Sequence, residues 1–133
     1  MLVRSLDRRL SRYEKPLRET AEGFFKFHKI KKDVEIYIVN SSQMRKLNFK
    51  YRGVDKPTDV LAIENPDFPS HGEDYVGEVY LNPGYLKSKP YDTHYILIHG
   101  LLHLLGFTHQ GKSDNMEMEK REKEVLKWLK HKS

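Results

Sequence analysis

The amino-acid sequence predicts an α+β (mixed α/β) fold, in which a small mixed sheet of about four strands is packed with helices. Segments with helical spacing of apolar residues and segments of alternating β-type residues follow one another along the chain. The 133 residues fit the common size of one domain, and no repeat or linker divides them. We therefore expect residues 1–133 to form a single domain with one core.

The N-terminal third is predicted to be helical and to lead into a strand. Pro16 separates two segments and can start a second helix or kink a longer one. Residues 33–40, DVEIYIVN, alternate in the manner of a strand. The two predicted helical faces are formed by Leu2, Leu6, Leu10 and Tyr13, and then by Leu17, Ala21, Phe24, Phe25 and His28.

The middle of the chain is predicted to alternate between strands and turns. Ser41 or Ser42 can cap a short helix that runs through Met44 and Leu47. Residues 51–57, YRGVDKP, contain turn residues and are expected to form a loop. Strands are predicted at 58–65 and 76–82, with an exposed loop between them at 65–74.

Two helices are predicted in the C-terminal third. The first covers residues 91–106, with Asp92 or Thr93 as its N-cap. The second extends from about Ser113 to about Lys130.

Composition limits the classes of protein that this chain can represent. There is no cysteine, which excludes disulfides and thiolate sites and restricts metal ligands to nitrogen and oxygen. The N-terminal segment carries too many charges for a signal peptide, and no apolar run reaches the about 20 residues that span a bilayer. We expect a cytoplasmic protein without membrane contact. The formal charge of +5 fits an RNA partner, and it equally fits a solvated basic surface.

The segment HGLLHLLGFTH, residues 99–109, places three histidines among leucines. His99 and His103 are four residues apart, so a helix presents both rings on one face. Gly106 can end the helix in the left-handed conformation and turn the chain so that His109 approaches the other two. The alternative is that these are ordinary core or surface histidines. Three histidines at this spacing disfavour that interpretation.

Three imidazoles around one divalent ion leave a coordination position open, as in catalytic zinc sites. We expect zinc first, although nickel, copper and iron also accept this ligand set. The spacing matches the metal helix of metzincin proteases, but Gly100 stands where their glutamate acts as general base. Peptide hydrolysis by that route is therefore disfavoured. The predicted metal site lies at the C-terminus of the 91–106 helix.

Three motifs in order resemble the YbeY family of bacterial rRNA maturation factors, which are single-domain metal-dependent endoribonucleases. The first is N-x-x-Y-R with a following P-T-D-V-L, present here as residues 48–52 and 57–61; the others are G-E-V-Y-L at 77–81 and the histidine segment. Ala62 and Ile63 replace the family's Ser-Phe, and Thr108 replaces the usual Asp.

The resemblance implies processing of ribosomal RNA, notably the 3′ end of 16S rRNA, and a role in ribosome quality control on the small subunit. It also implies a zinc or similar ion bound by His99, His103 and His109. The essential arginine of the family falls on Arg52. Ribosome-assembly proteins are further expected partners, and no nucleotide cofactor is expected.

Arg52 is expected in a loop with Lys50 and Lys56, where its guanidinium can hold the scissile phosphate and the lysines can contact RNA. The alternative for Arg52 is a salt bridge to an aspartate, Asp55 or Asp59. The nucleophile can be water or the 2′-OH of the RNA.

Two carboxylates are expected to support the site. Asp59 is expected to organise the loop or to orient a ligand histidine, and Glu78 can do the same from the neighbouring strand. The alternatives are an exposed turn residue for Asp59 and a solvent-facing strand residue for Glu78. Two other functions stay open for the whole chain: a hydrolase of peptides or small esters, and a non-catalytic zinc-stabilised ribosome-assembly factor.

Overall fold

The computed structural model of the chain describes residues 1–65, 74–88 and 92–105. Within these ranges one mixed sheet has the strand order β1-β2-β4-β3. Its strands are β1 (Leu2–Ser5), β2 (Asp33–Ile38), β3 (Val60–Glu64) and β4 (Tyr75–Leu81). The helices are α1 (Glu14–Phe27), α2 (Ser41–Arg52) and α3 (Thr93–Leu104), with short 3-10 helices at Arg8–Tyr13 and Pro83–Ser88. The predicted α+β class with a mixed sheet of about four strands is confirmed.

The sheet is parallel except at one edge. β1 pairs with β2 and β2 with β4 in parallel, whereas β3 pairs with β4 in antiparallel fashion. Val60, at the start of β3, lies opposite Leu81 at the end of β4. This arrangement brings the loop that follows α2 to the end of β4.

At the first strand the sequence prediction is wrong. Leu2 to Ser5 pair with Glu35 to Ile38 of β2, although the spacing of the leucines predicted a helix from residue 2. Only Val3 of this strand is buried, so a four-residue edge strand carries almost no alternating pattern. Hydrogen bonding to β2 therefore outweighs the local helical preference.

The two faces of the sheet have different cores. Val34, Ile36 and Ile38 face a large cluster with apolar residues of α1 and α3. Tyr37 and Val39 contribute to a smaller cluster on the other face, which α2 closes. The predicted alternation of β2 is confirmed, because its two sets of side chains belong to different clusters.

A β-bulge in β4 depends on Gly77. The register between β2 and β4 shifts between Asp33 and Glu35, and Gly77 has φ 141°. A Cβ at this position would overlap the backbone oxygen of Ile63, so a side chain is excluded there. The bulge puts Val76 and Val79 on the same face of the sheet.

In the described part of the chain, no helix has the length and apolar character needed to cross a membrane. The predicted helix at 113–130 and most of the predicted loop at 65–74 lie outside the described residues.

Candidate active site on helix α3 and the loop after helix α2

Helix α3 carries the first two histidines of the predicted metal site. The helix begins after Asp92, whose side chain accepts a hydrogen bond from the backbone N–H of Tyr95 at 3.0 Å. His99 and His103 are one turn apart and both are half-buried. His109 lies outside the described residues, and within the described ranges no group of three metal-ligating side chains is present.

Gly100 lets α3 approach the sheet closely. A Cβ on this buried residue would lie 3.1 Å from Cγ2 of Val60 and 3.1 Å from Cγ1 of Val79. The position that carries a general base in metzincins therefore faces the sheet here and has no room for a glutamate. The same contact brings the chain at His99 close to the chain at Asp59, because these residues adjoin Gly100 and Val60.

Asp59 organises the start of β3. Its Oδ1 accepts hydrogen bonds from the backbone N–H of Val60 at 2.7 Å and from the Thr58 hydroxyl at 3.3 Å. Its backbone carbonyl accepts the N–H of Asn82 at 2.9 Å. Asp59 thereby fixes the end of the loop that reaches α3.

Arg52 is the last residue of α2 and is exposed, so its predicted placement in a loop is wrong. The helix extends through Tyr51 and Arg52 because Gly53, in the left-handed conformation at φ 71°, closes it. The N-cap is Asn40 instead of a serine, and it forms a capping box with Gln43. Arg52 therefore sits on a helix end, which holds its backbone more firmly than a loop would.

Asp55, one of the two aspartates expected as alternative partners of Arg52, is bound by another arginine. Both oxygens of Asp55 accept hydrogen bonds from Arg45, at 2.6 and 3.0 Å. The same contact lowers the pKa of Asp55 and raises the pKa of Arg45. Arg52 forms no ion pair within the described ranges.

Two buried asparagines hold the loop between α2 and β3, and neither was predicted to be a functional residue. Asn48 donates its side-chain amide to the carbonyl of Lys56 at 2.9 Å. Asn82 donates its own to Ser41 at 3.0 Å and to the Thr58 carbonyl at 3.2 Å. Asn48 is the first residue of the N-x-x-Y-R motif, and this motif was the sequence signal that could have identified it.

Lys50 and Lys56 lie on opposite sides of the Gly53 turn, and both are exposed. Lys50 belongs to the last turn of α2, with its ammonium 5.1 Å from the centre of the Tyr51 ring. Lys56 belongs to the loop, as predicted. Lys50 is two residues before Arg52, so the two side chains leave the helix in different directions, and Lys56 is four residues beyond Arg52 in the loop.

Glu78 lies on the face of the sheet away from α3. It accepts a hydrogen bond from the hydroxyl of Tyr80, which packs in the cluster beneath α2. The Tyr75 hydroxyl lies 3.4 Å from Glu78 and 3.3 Å from Glu35. Burial, followed by the bond to Glu78, raises the pKa of Tyr80. The sheet separates Glu78 from α3, so a supporting role for it at the histidines is not consistent with its placement.

The fold and the site together define a small α+β protein with an H-x3-H helix packed on one face of a mixed sheet and an exposed arginine at the end of α2, which packs on the other face. The family model described as Endoribonuclease YbeY matches residues 4–130. This chain therefore belongs to the YbeY family.

Individual relatives agree with this assignment. Endoribonuclease YbeY of Acholeplasma laidlawii is 32% identical over 113 residues, which cover 79% of this chain and 80% of the relative. That of Pelotomaculum thermopropionicum is 35% identical over 106 residues, which cover 71% and 70%. The solution structure of TM1509 from Thermotoga maritima superposes with a TM-score of 0.57 at 25% identity, over 99% of this chain and 93% of that one.

Proposed function

We propose that this chain is an endoribonuclease that processes ribosomal RNA, and that it depends on a divalent metal ion held by His99, His103 and His109. Within the cytoplasm, its substrate would be the 3′ region of 16S rRNA on the small ribosomal subunit, where assembly proteins are further partners. Membership of the YbeY family supports the reaction class. The observation that carries the site assignment is the pair of half-buried histidines one turn apart on α3.

The donor set fits zinc. His99 and His103 offer two ring nitrogens from one helix, and His109 is six residues beyond the second. Three nitrogen ligands leave a coordination position open, and the ion bound there would supply a Lewis acid for a phosphoryl oxygen. The chain has no cysteine that could compete for the ion.

Arg52 is proposed to bind the scissile phosphate. Its guanidinium is exposed, and the neighbouring aspartate is bound by Arg45. A guanidinium can donate two parallel hydrogen bonds to phosphate oxygens and offset the negative charge that develops in the transition state. Lys50 and Lys56 add positive charge on either side of this turn.

Hydrolysis of peptides is the weaker candidate. The contact of Gly100 with Val60 and Val79 leaves no space for the glutamate that zinc proteases use at this position. A non-catalytic assembly factor would not cleave RNA, whereas the proposed enzyme would. A cleavage assay therefore distinguishes the two.

Single-turnover cleavage of single-stranded RNA by the purified full chain tests the proposal. We expect Arg52→Ala to lower the cleavage rate by about 100-fold or more, the usual effect of removing a group that stabilises transition-state charge. His103→Ala should abolish cleavage while the protein stays folded by circular dichroism.

Arg45→Ala is the matched control, because Arg45 lies on the same helix but is bound to Asp55. It should cleave at close to the parent rate. Full activity of a folded His103→Ala variant would contradict the metal site. Equal losses for the two arginine variants would contradict the role of Arg52.

A further inference from the structure

Phe49 is an apolar side chain in an unexpected place. It lies on α2 with 61% of its surface exposed, more than any other large apolar residue in the described ranges. The helix already has its buried side, formed by Met44 and Asn48 with half-buried Leu47 beside them. Phe49 therefore contributes nothing to the core that α2 closes, and its exposure needs another explanation.

The surroundings of Phe49 are cationic. Helix α2 contains four basic residues and no acidic one. One of the four, Arg45, is bound to Asp55, whereas Lys46, Lys50 and Arg52 form no ion pair within the described ranges. Basic residues in the last turn suit the helix dipole, but that effect does not account for an exposed aromatic ring among them.

The spacing on the helix places a ring between two cations. Lys46 is three residues before Phe49 and Arg52 is three residues after it, so all three share one face with about 5–6 Å between successive Cβ atoms. Along a single-stranded nucleic acid, planar bases alternate with charged phosphates, which matches the order of cation, ring and cation on this helix face. The surface formed by Lys46, Phe49 and Arg52 is called the α2 stripe below.

We infer that Phe49 stacks on an unpaired base of the RNA substrate, while Lys46 and Arg52 contact the flanking phosphates. Charge complementarity favours RNA as the occupant over an apolar protein partner, because the stripe offers one ring among cations instead of a continuous apolar patch. Stacking on a ring accepts every base, so Phe49 selects for single-stranded RNA and not for a sequence. That the ligand is RNA rests on the proposed function. The stacking contact itself can be measured independently of RNA cleavage.

Fluorescence anisotropy of a short 2′-O-methyl RNA, checked by gel electrophoresis to be intact after the measurement, tests the inference. Phe49→Leu keeps an exposed apolar side chain of similar size but removes the ring. We expect its affinity to fall about fivefold or more, as for the loss of one base–aromatic stack. The same variant should bind an abasic oligonucleotide of equal length as tightly as the parent does.

Phe27→Ala is the control, because Phe27 is an exposed aromatic at the end of another helix and also follows a lysine. It should bind both oligonucleotides like the parent. Salt dependence separates the two kinds of contact: Lys46→Gln should lower the slope of log K against log salt by about 0.7, and Phe49→Leu should leave the slope unchanged.

Parent-like RNA affinity of Phe49→Leu, or an equal loss on the abasic oligonucleotide, would overturn the inference and leave a protein partner as the explanation for the exposed ring. Cleavage of unmodified RNA is scored separately. If the parent does not cleave but Phe49→Leu loses affinity, the proposed function fails and the stacking contact stands. If the parent cleaves and Phe49→Leu binds normally, only the stacking contact fails.

Discussion

Asp7 connects the N-terminal 3-10 helix to the start of α2 through one short side chain. It accepts hydrogen bonds from the backbone N–H of Arg9 at 3.0 Å, from the Arg9 guanidinium at 2.8 and 3.1 Å, and from Asn40 at 2.9 Å. Asn40 is the N-cap of α2. The Arg9 side chain, followed by Asn40, holds the pKa of Asp7 well below its usual value of 3.8.

Removing this carboxylate should destabilise the fold in a pH-dependent way. Because the folded state lowers the pKa of Asp7, its stabilisation is present above pH 3.8 and is lost progressively as the pH falls below that value. We expect Asp7→Ala to lower the Tm by about 2–6 °C at pH 7, with a gap to the parent that narrows below pH 3.8. Thermal unfolding from pH 7 to pH 2 measures this. Glu22→Ala, on the exposed side of α1, is the control, and a gap that does not change with pH would contradict the account.

Single residues also show what the sequence could and could not predict about the site. The H-x3-H spacing was sufficient to place His99 and His103 on one helix, because helical periodicity is a local property. The true partner of Asp55 was not predictable, since it depends on how the Gly53 turn directs the loop back along α2 toward Arg45.

At the scale of elements, the packing of α3 on the sheet decides where the histidines lie. Gly100 meets Val60 of β3 and Val79 of β4, and the leucine and isoleucine side chains around it fill the larger core cluster. Valine side chains are stiff about χ1, so they cannot move easily to admit a larger residue. The distance between α3 and the sheet therefore depends on the absence of a side chain at residue 100.

Gly100→Ala should therefore destabilise the protein although alanine is the better helix former. Alanine gains about 1 kcal/mol in helix propensity, and the overpacking costs about 1–3 kcal/mol, so we expect a net loss of about 1 kcal/mol. In a Val79→Ala background the same change should cost less, because the clash with Val79 is gone and only the contact with Cγ2 of Val60 remains. Urea unfolding of the four proteins in the cycle measures this. An equal effect in both backgrounds would show that the close approach is not the cause.

Helices and strands that bury one face could be predicted from the sequence, whereas those without a buried face could not. β2 and α3 carry enough apolar side chains to reveal their periodicity. β1 buries only Val3, so its pairing with β2 leaves no local signal. The end of α2 was misplaced because Tyr51 and Arg52 are exposed, and only the left-handed Gly53 marks the boundary.

At the scale of the whole molecule, strand order determines what the site contains. With β3 at one edge of the sheet, the loop that follows α2 reaches the same region as α3. β4 places Glu78 on the opposite face, where it joins the tyrosines. Sequence alone left Glu78 as a support for the site or as a solvent-facing residue, because it does not specify which face of a bulged strand a side chain occupies.

The metal content of the full chain, purified without a metal-affinity tag, tests the central claim most directly. We expect about one zinc or similar divalent ion per parent chain, as three histidine ligands can hold one ion. His103→Ala should retain none, while His131→Ala, which changes a histidine outside the motif, should bind like the parent. A parent protein that cleaves RNA without bound metal, or a His103→Ala variant with the same metal content as the parent, would contradict the account.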